Sequence, residues 1–156
     1  MKTAIALGID DNEDDQFLLQ RAWKKAAPPL SLQLAGDGEK AIEYLAGEGK
    51  FSDRAAYPIP EILLLDLKMP RKNGFEVLEW IKKNPGPSVP AVAVFTSSQN
   101  TADIERSYEL GAKWFLIKPV EYTELVEFIR LLGRWVENPE GNDLSLSPHH
   151  REAMSN

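Results

Sequence analysis

The residues with chemistry to offer stand where short apolar runs stop: Asp10 and Asp11 close the first run, Asp66 the third, Thr96 and Ser97 the fourth, and Lys118-Pro119 the fifth. Carboxylates brought together repel one another unless a cation sits among them, and hard oxygen donors with room for water suit Mg²⁺. A lysine ammonium and a threonine hydroxyl supply the complement, a positive charge and a donor for the oxygens of a transferring phosphoryl group. An ionised carboxylate needs no general base to attack phosphorus, so Asp66 is the expected nucleophile, with Thr96 and Lys118 on the phosphoryl oxygens.

Each fragment has a plainer explanation when taken alone. Asp10-Asp11 could cap and charge the start of a helix, since Asn12, Glu13 and Asp14 follow. Asp66, before Leu67-Lys68-Met69-Pro70, could be a turn residue; Thr96 and Ser97 could cap a helix, and Lys118 could be a solvated charge. Their joint placement is what requires a common cause, and that placement depends on the elements between them. Runs rich in branched residues at Thr3–Ile9, Leu30–Ala35, Glu61–Leu65, Ala91–Phe95 and Lys113–Ile117 predict strands. Apolar residues at three and four spacing, as in Phe75, Leu78 and Ile81, predict helices over Asp14–Ala26, Gly38–Ala46, Gly74–Asn84, Thr101–Leu110 and Glu121–Glu137. Pro28-Pro29, Pro70, Gly74, Pro85-Gly86-Pro87 and Gly111 punctuate the series. Strict alternation implies an α/β, doubly wound five-stranded parallel sheet with helices on both faces. Ile62-Leu63-Leu64-Leu65 is continuously apolar, as a mid-sheet strand buried on both faces should be. In such a sheet, ligands gather outside the carboxyl ends of the strands, where all the polar residues above fall.

With 156 residues, 43% of them hydrophobic, the chain suits one core rather than two. Residues 1–137 are the expected domain, and 138–156, polar and carrying Pro139, Gly141 and Pro148, a disordered tail. The sequence has no Cys, which excludes disulfides and thiolate metal sites. No run approaches the roughly 20 apolar residues of a membrane helix, and the start lacks an export signal, so a cytoplasmic protein is expected. A net charge of −6, with 18 Lys+Arg spread along the chain, argues against nucleic acid as a partner. His149-His150, adjacent and without further histidines, is not read as a metal site. Gly47–Pro60 exceeds the usual connection of about 4–6 residues and is read as a tolerated insertion rather than a recognition loop. In the last helix, Leu125, Phe128, Ile129, Leu132 and Val136 make one stripe. Tyr122, Val126, Leu131 and Trp135 widen it to roughly 220° of the circumference, more than docking on one sheet face needs. A homodimer through this helix is the expectation. Lys118-Pro119 is expected to hold a cis bond that aims the ammonium, because X-Pro bonds alone adopt cis cheaply.

The elements Ile9-Asp10-Asp11, Leu63-Leu64-Leu65-Asp66-Leu67-Lys68-Met69-Pro70, Phe95-Thr96-Ser97 and Lys118-Pro119, in this order and spacing, resemble the response-regulator receiver family over residues 3 to about 137. The resemblance implies the flavodoxin-like strand order 2-1-3-4-5 and phosphorylation of Asp66 by the phosphohistidine of a sensor histidine kinase. It implies Mg²⁺ held directly by Asp11, Asp66 and the Lys68 backbone carbonyl, with Asp10 acting through metal-bound water. It also implies a switch, in which Thr96 moves toward the phosphoryl group and Phe115 swings inward, reshaping the surface of the fourth helix, fifth strand and fifth helix. The long 47–60 segment, the last helix and the lack of an output domain are similar to the small regulators paired with phytochrome-type histidine kinases. Two positions depart from the commoner pattern: Phe115 stands where many members have Tyr, and the side chain of Lys68, two after the nucleophile, is placed to reach over the site and slow attack by water. Other readings fit less well. An aspartyl phosphatase wants a second acid where Lys68 stands, a flavodoxin-like cofactor binder would not put Asp10-Asp11-Asn12-Glu13 against a phosphate, and a non-phosphorylated pseudo-receiver adaptor has no need of the complete set.

Overall fold

The computed structural model describes residues 4–86 and 90–153. Thr3 and Pro87, which mark an expected strand start and helix stop, lie outside the described residues. The branched runs form β1 (Ile5–Ile9), β2 (Ser31–Ala35), β3 (Ile62–Leu65), β4 (Ala91–Thr96) and β5 (Trp114–Ile117). The amphipathic runs form α1 (Glu13–Ala26), α2 (Gly38–Ala46), α3 (Gly74–Lys83), α4 (Thr101–Glu109) and α5 (Tyr122–Glu137). The strands are parallel in the expected order, β2-β1-β3-β4-β5, with the wholly buried β3 in the middle.

Successive strand residues face opposite sides of a sheet, and two cores result. Ala6, Leu64, Phe95 and Leu116 pack under α1 and α5 against Trp23, Phe128 and Ile129. Leu7, Leu63, Val94 and Phe115 pack under α2, α3 and α4 against Tyr44, Val77 and Ile104. Asn12, Asp37, Asn73 and Asn100 each accept a backbone N–H at the start of α1 to α4, so these helices begin at fixed points after their strands. The 47–60 segment is folded onto α2. Arg54 donates to the Tyr44 and Leu45 carbonyls in the last turn of α2, and Phe51 and Tyr57 pack on the Tyr44 ring at 5.1 and 5.9 Å.

The expectation of a disordered tail is corrected for residues 138–153. A 3-10 turn at Leu144–Leu146 leads to a sixth strand, β6 (His150–Arg151), which runs antiparallel on β5. The physical reason lies in a few anchors that average composition hides. Leu144 is completely buried in the α1/α5 core, Trp114 Nε1 donates to Asp143 Oδ1 at 2.8 Å, and the Ile117 N–H donates to the His149 carbonyl at 2.9 Å. The otherwise open edge of β5 thereby gains backbone partners. The same segment lies against α5 beside Phe128 and Leu131, and Trp135 packs edge-on to Trp114 at 5.4 Å. The surplus apolar width of α5, from which a homodimer was expected, is therefore consumed largely within the chain.

Tyr108 fastens this strap. Its hydroxyl donates to the Arg151 carbonyl at 2.6 Å and accepts the Phe115 N–H at 3.1 Å. The hydroxyl proton being committed, His150 Nε2, 3.1 Å away, must act as donor to it. Burial, opposed by the charges of Glu152 and Asp143, holds the His150 imidazole below the ordinary histidine value of 6.5. With the folded pKa depressed, the unfolded chain binds the proton first as pH falls. The contribution of neutral His150 is thus complete above pH 6.5 and is lost as pH drops through its folded value. Amide protection factors at Ile117 and His150 are expected to decline selectively on acidification below pH 6.5, and His150→Gln to remove that selectivity. Protection unchanged relative to β1 would contradict this.

Candidate functional site

Hydrogen bonds at the carboxyl edge of the sheet set the site. The Asp10 N–H donates to the Ala35 carbonyl at 3.1 Å, the Asp66 N–H to Ile9 at 3.0 Å, and the Lys118 N–H to Thr96 at 2.8 Å. Each functional residue is thereby fixed relative to a neighbouring strand. Because β1 and β3 are adjacent, Asp10 and Asp66 meet at the sheet edge. Carboxylate oxygens of Asp10, Asp11 and Asp66 lie within 4.8 Å of one another, with Asp10 and Asp66 buried and Asp11 exposed. Thr96, buried on the next strand, donates its hydroxyl to Asp66 Oδ1 at 2.9 Å. Lys118 Nζ donates to Asp10 Oδ2 at 2.6 Å, Asp15 Oδ2 at 2.9 Å and Asp66 Oδ2 at 3.1 Å. Asp10, Asp11, Asp66, Thr96 and Lys118 are therefore in one place.

Lys68 contributes its backbone here: its N–H points to Asp66 Oδ1 at 3.5 Å, while the side chain is exposed and makes no ion pair among the described residues. Phe115 is fully buried among the α2–α4 side chains. The expected inward swing therefore has no outward position to start from in this structure. The Lys118–Pro119 bond is not cis, and no cis peptide bond occurs among the described residues. The ammonium is aimed without one, by the ladder bond of Lys118 to Thr96 and by its carboxylate partners.

The electrostatics are those of a site short of positive charge. Burial works against the Lys118 ammonium, yet its bonds to Asp10 and Asp15 and the charge of Asp66 outweigh that, and its pKa lies above the ordinary lysine value. Burial raises Asp10, only partly offset by Lys118 and the Asn12 N–H, and the charge of Asp66 adds to the rise. A salt bridge alone would lower Asp10. Asp10 rises because burial outweighs its ion pair, whereas Lys118 rises because its one ammonium faces the three carboxylates of Asp10, Asp15 and Asp66. A hard divalent cation fits this donor set: oxygens only, clustered, and with exposed Asp11 leaving a side open to water.

Asp15 is the site residue that the sequence reading missed. It lies in an acidic first turn, Glu13-Asp14-Asp15, which helix-dipole complementarity explains by itself. The available signal was its position on the stripe 15, 19, 22, 23, where Leu19, Ala22 and Trp23 are buried.

A parallel sheet with acids after β1 and β3, a hydroxyl at the end of β4 and a lysine after β5 defines a receiver, and the comparison with known families agrees. The response regulator receiver domain model matches residues 6–130. The chain belongs to this family. It is 32% identical over 134 residues to response regulator Rcp1 of Synechocystis sp., spanning 85% of this chain and 89% of that protein. Among solved structures, response regulator RPA3017 of R. palustris, described in red light signalling, superposes with a TM-score of 0.79 at 30% identity, over 86% of this chain and 94% of that one. The phosphorylated cyanobacterial phytochrome response regulator RcpA gives 0.77 at 28% identity, over 88% and 96%. A Mn²⁺-bound form of Rcp1 gives 0.74 at 32% identity, over 86% and 96%.

Proposed function

We propose that Asp66 accepts a phosphoryl group from the phosphohistidine of a sensor histidine kinase, of the phytochrome type, in a Mg²⁺-dependent reaction in the cytoplasm, and that the new charge alters this chain's protein contacts. The observation that carries the reading is the Asp66 carboxylate itself, at the end of the central strand and held by Thr96 and Lys118 beside two further carboxylates. Asp66 attacks phosphorus, an O–P bond forms, and the bond to the donor imidazole breaks. Asp10, Asp11, Asp66 and the Lys68 carbonyl would hold the ion, which when bound supplies charge neutralisation and alignment. Thr96 and Lys118 turn from the carboxylate to the phosphoryl oxygens, and the movement of Thr96, whose hydroxyl also accepts the Ser98 N–H at 3.4 Å, passes the change to the loop before α4. The chemistry is on the chain itself and no external substrate is turned over.

A donor must reach the site across its rim, where Leu18 and Val120 are large, apolar and exposed. Leu18 and Val120 line a cleft that continues to Lys118 and Asp10, and the four-helix surface of the kinase docks there. No helix among the described residues is long and apolar enough to cross a membrane.

The test is intact mass after incubation with acetyl phosphate. A phosphoryl adduct is expected with Mg²⁺ and its loss on chelation. No adduct, with acetyl phosphate or a phosphorylated kinase, would leave a receiver fold that binds partners without phosphorylation.

A further inference from the structure

Asp15 takes no part in the family motif by which the site was recognised, yet it holds the central ammonium. A lysine has three N–H donors, and those of Lys118 all go to carboxylates, Asp10, Asp15 and Asp66. To donate to a phosphoryl oxygen, Lys118 must give up one of them. Asp66 is the longest of the three, at 3.1 Å, and is the atom group that becomes phosphorylated. Asp10 belongs to the carboxylate group with metal-ligand spacing; Asp15 does not. Asp15 is thus the one partner of Lys118 left free of both other tasks.

We propose that Asp15 is a positioning residue for phosphoryl transfer: it anchors the Lys118 ammonium so that the N–H released by Asp66 stays directed at the phosphoryl oxygens arriving there, while Asp10 is engaged with the metal. The inference rests on the assignment of Asp66 as phosphoacceptor. The local structure supports it. The Asp15 N–H is fixed by Asn12 Oδ1 at 2.9 Å, and its side chain shares the inward stripe of α1 with buried Leu19 and Trp23. Its neighbour Asp14 sits in the same turn with the same charge, is exposed, and makes no ion pair with Lys118. Asp14 therefore separates positioning from a general effect of acidic charge on the helix.

The experiment compares native chain, Asp15→Ala, Asp15→Glu and Asp14→Ala in the rate of phosphorylation by acetyl phosphate, followed by intact mass, and in Mg²⁺ affinity by calorimetry. Asp15→Ala is expected to slow phosphorylation about tenfold, the scale of a displaced but present catalytic group. Its Mg²⁺ dissociation constant is expected to change less than about twofold, because Asp15 lies outside the clustered carboxylates. Asp15→Glu is expected to restore most of the rate, and Asp14→Ala to match the native chain. A native rate in Asp15→Ala, an equal loss in Asp14→Ala, or a loss explained wholly by weaker Mg²⁺ binding would each overturn the inference. Absence of any adduct on the native chain would instead overturn the phosphoacceptor assignment, and the positioning role with it.

Discussion

Asp66→Asn is expected to take no phosphoryl group from acetyl phosphate in Mg²⁺ while folding as the native chain does. Asparagine keeps the shape and an acceptor oxygen, so the Thr96 hydroxyl retains its partner at the Oδ1 position. It loses the ionised oxygen that attacks phosphorus, and an amide oxygen is not a usable nucleophile under these conditions. The loss in rate should exceed about a thousandfold, as when a nucleophile is removed from a site otherwise intact. Stability should hold, because the substitution removes one carboxylate from a group in which a single ammonium already serves Asp10, Asp15 and Asp66. Intact mass reads the adduct, and near-ultraviolet circular dichroism from the four Trp reads the fold. Persistence of the adduct on a folded Asp66→Asn chain would move the phosphoacceptor elsewhere, with Asp11 as the exposed alternative.

The sequence showed the strands and the site acids for the same reason: β1, β3 and β4 are buried on both faces, so their apolar runs are unbroken, and the first polar residue ending or following each run marks the sheet edge. Asp10, Asp66 and Thr96 are those residues. What escaped was whatever depended on a few side chains in a setting of opposite character. Leu144 and Leu146 stand in the same polar stretch, and only the structure distinguishes the buried one from the other, which is 70% exposed. A two-residue strand such as β6 is shorter than any period that could reveal it. Asp15 escaped because an acid in a first helical turn already has a sufficient explanation, and only the side chain's direction reveals a second role. The stripe on α5 has the same limit, since its width measures what a helix must bury without saying what buries it.

Gly74 was legible as punctuation, but its reason lies in the site. A Cβ built there would stand 2.4 Å from the Asp66 carbonyl oxygen and 2.8 Å from Leu67 Cα, both backbone atoms with no rotamer to yield. The Gly74 N–H also donates to the Leu67 carbonyl at 3.0 Å, so the start of α3 is fastened against the end of β3. On its other side the intervening loop is pinned: the Glu39 N–H donates to the Arg71 carbonyl at 3.1 Å, and a Cβ on Gly38 would meet the Lys72 carbonyl oxygen at 2.0 Å. Arg71 and Lys72 hold left-handed backbone, φ 48° and 73°, so this loop is already strained and has little freedom to absorb a displacement. Gly74→Ala must therefore push either α3 outward or the Asp66 backbone out of line. It is expected to cost about 3 kcal/mol in urea denaturation. In the folded fraction it should slow phosphorylation by acetyl phosphate roughly a hundredfold, the penalty for misplacing a reacting group by about 1 Å. Gly36→Ala supplies the control, since a Cβ there meets nothing within 4 Å and should leave stability within about 0.5 kcal/mol. If Gly74→Ala were as stable and as quickly phosphorylated as Gly36→Ala, the close approach of α3 to the nucleophile would have no part in placing Asp66.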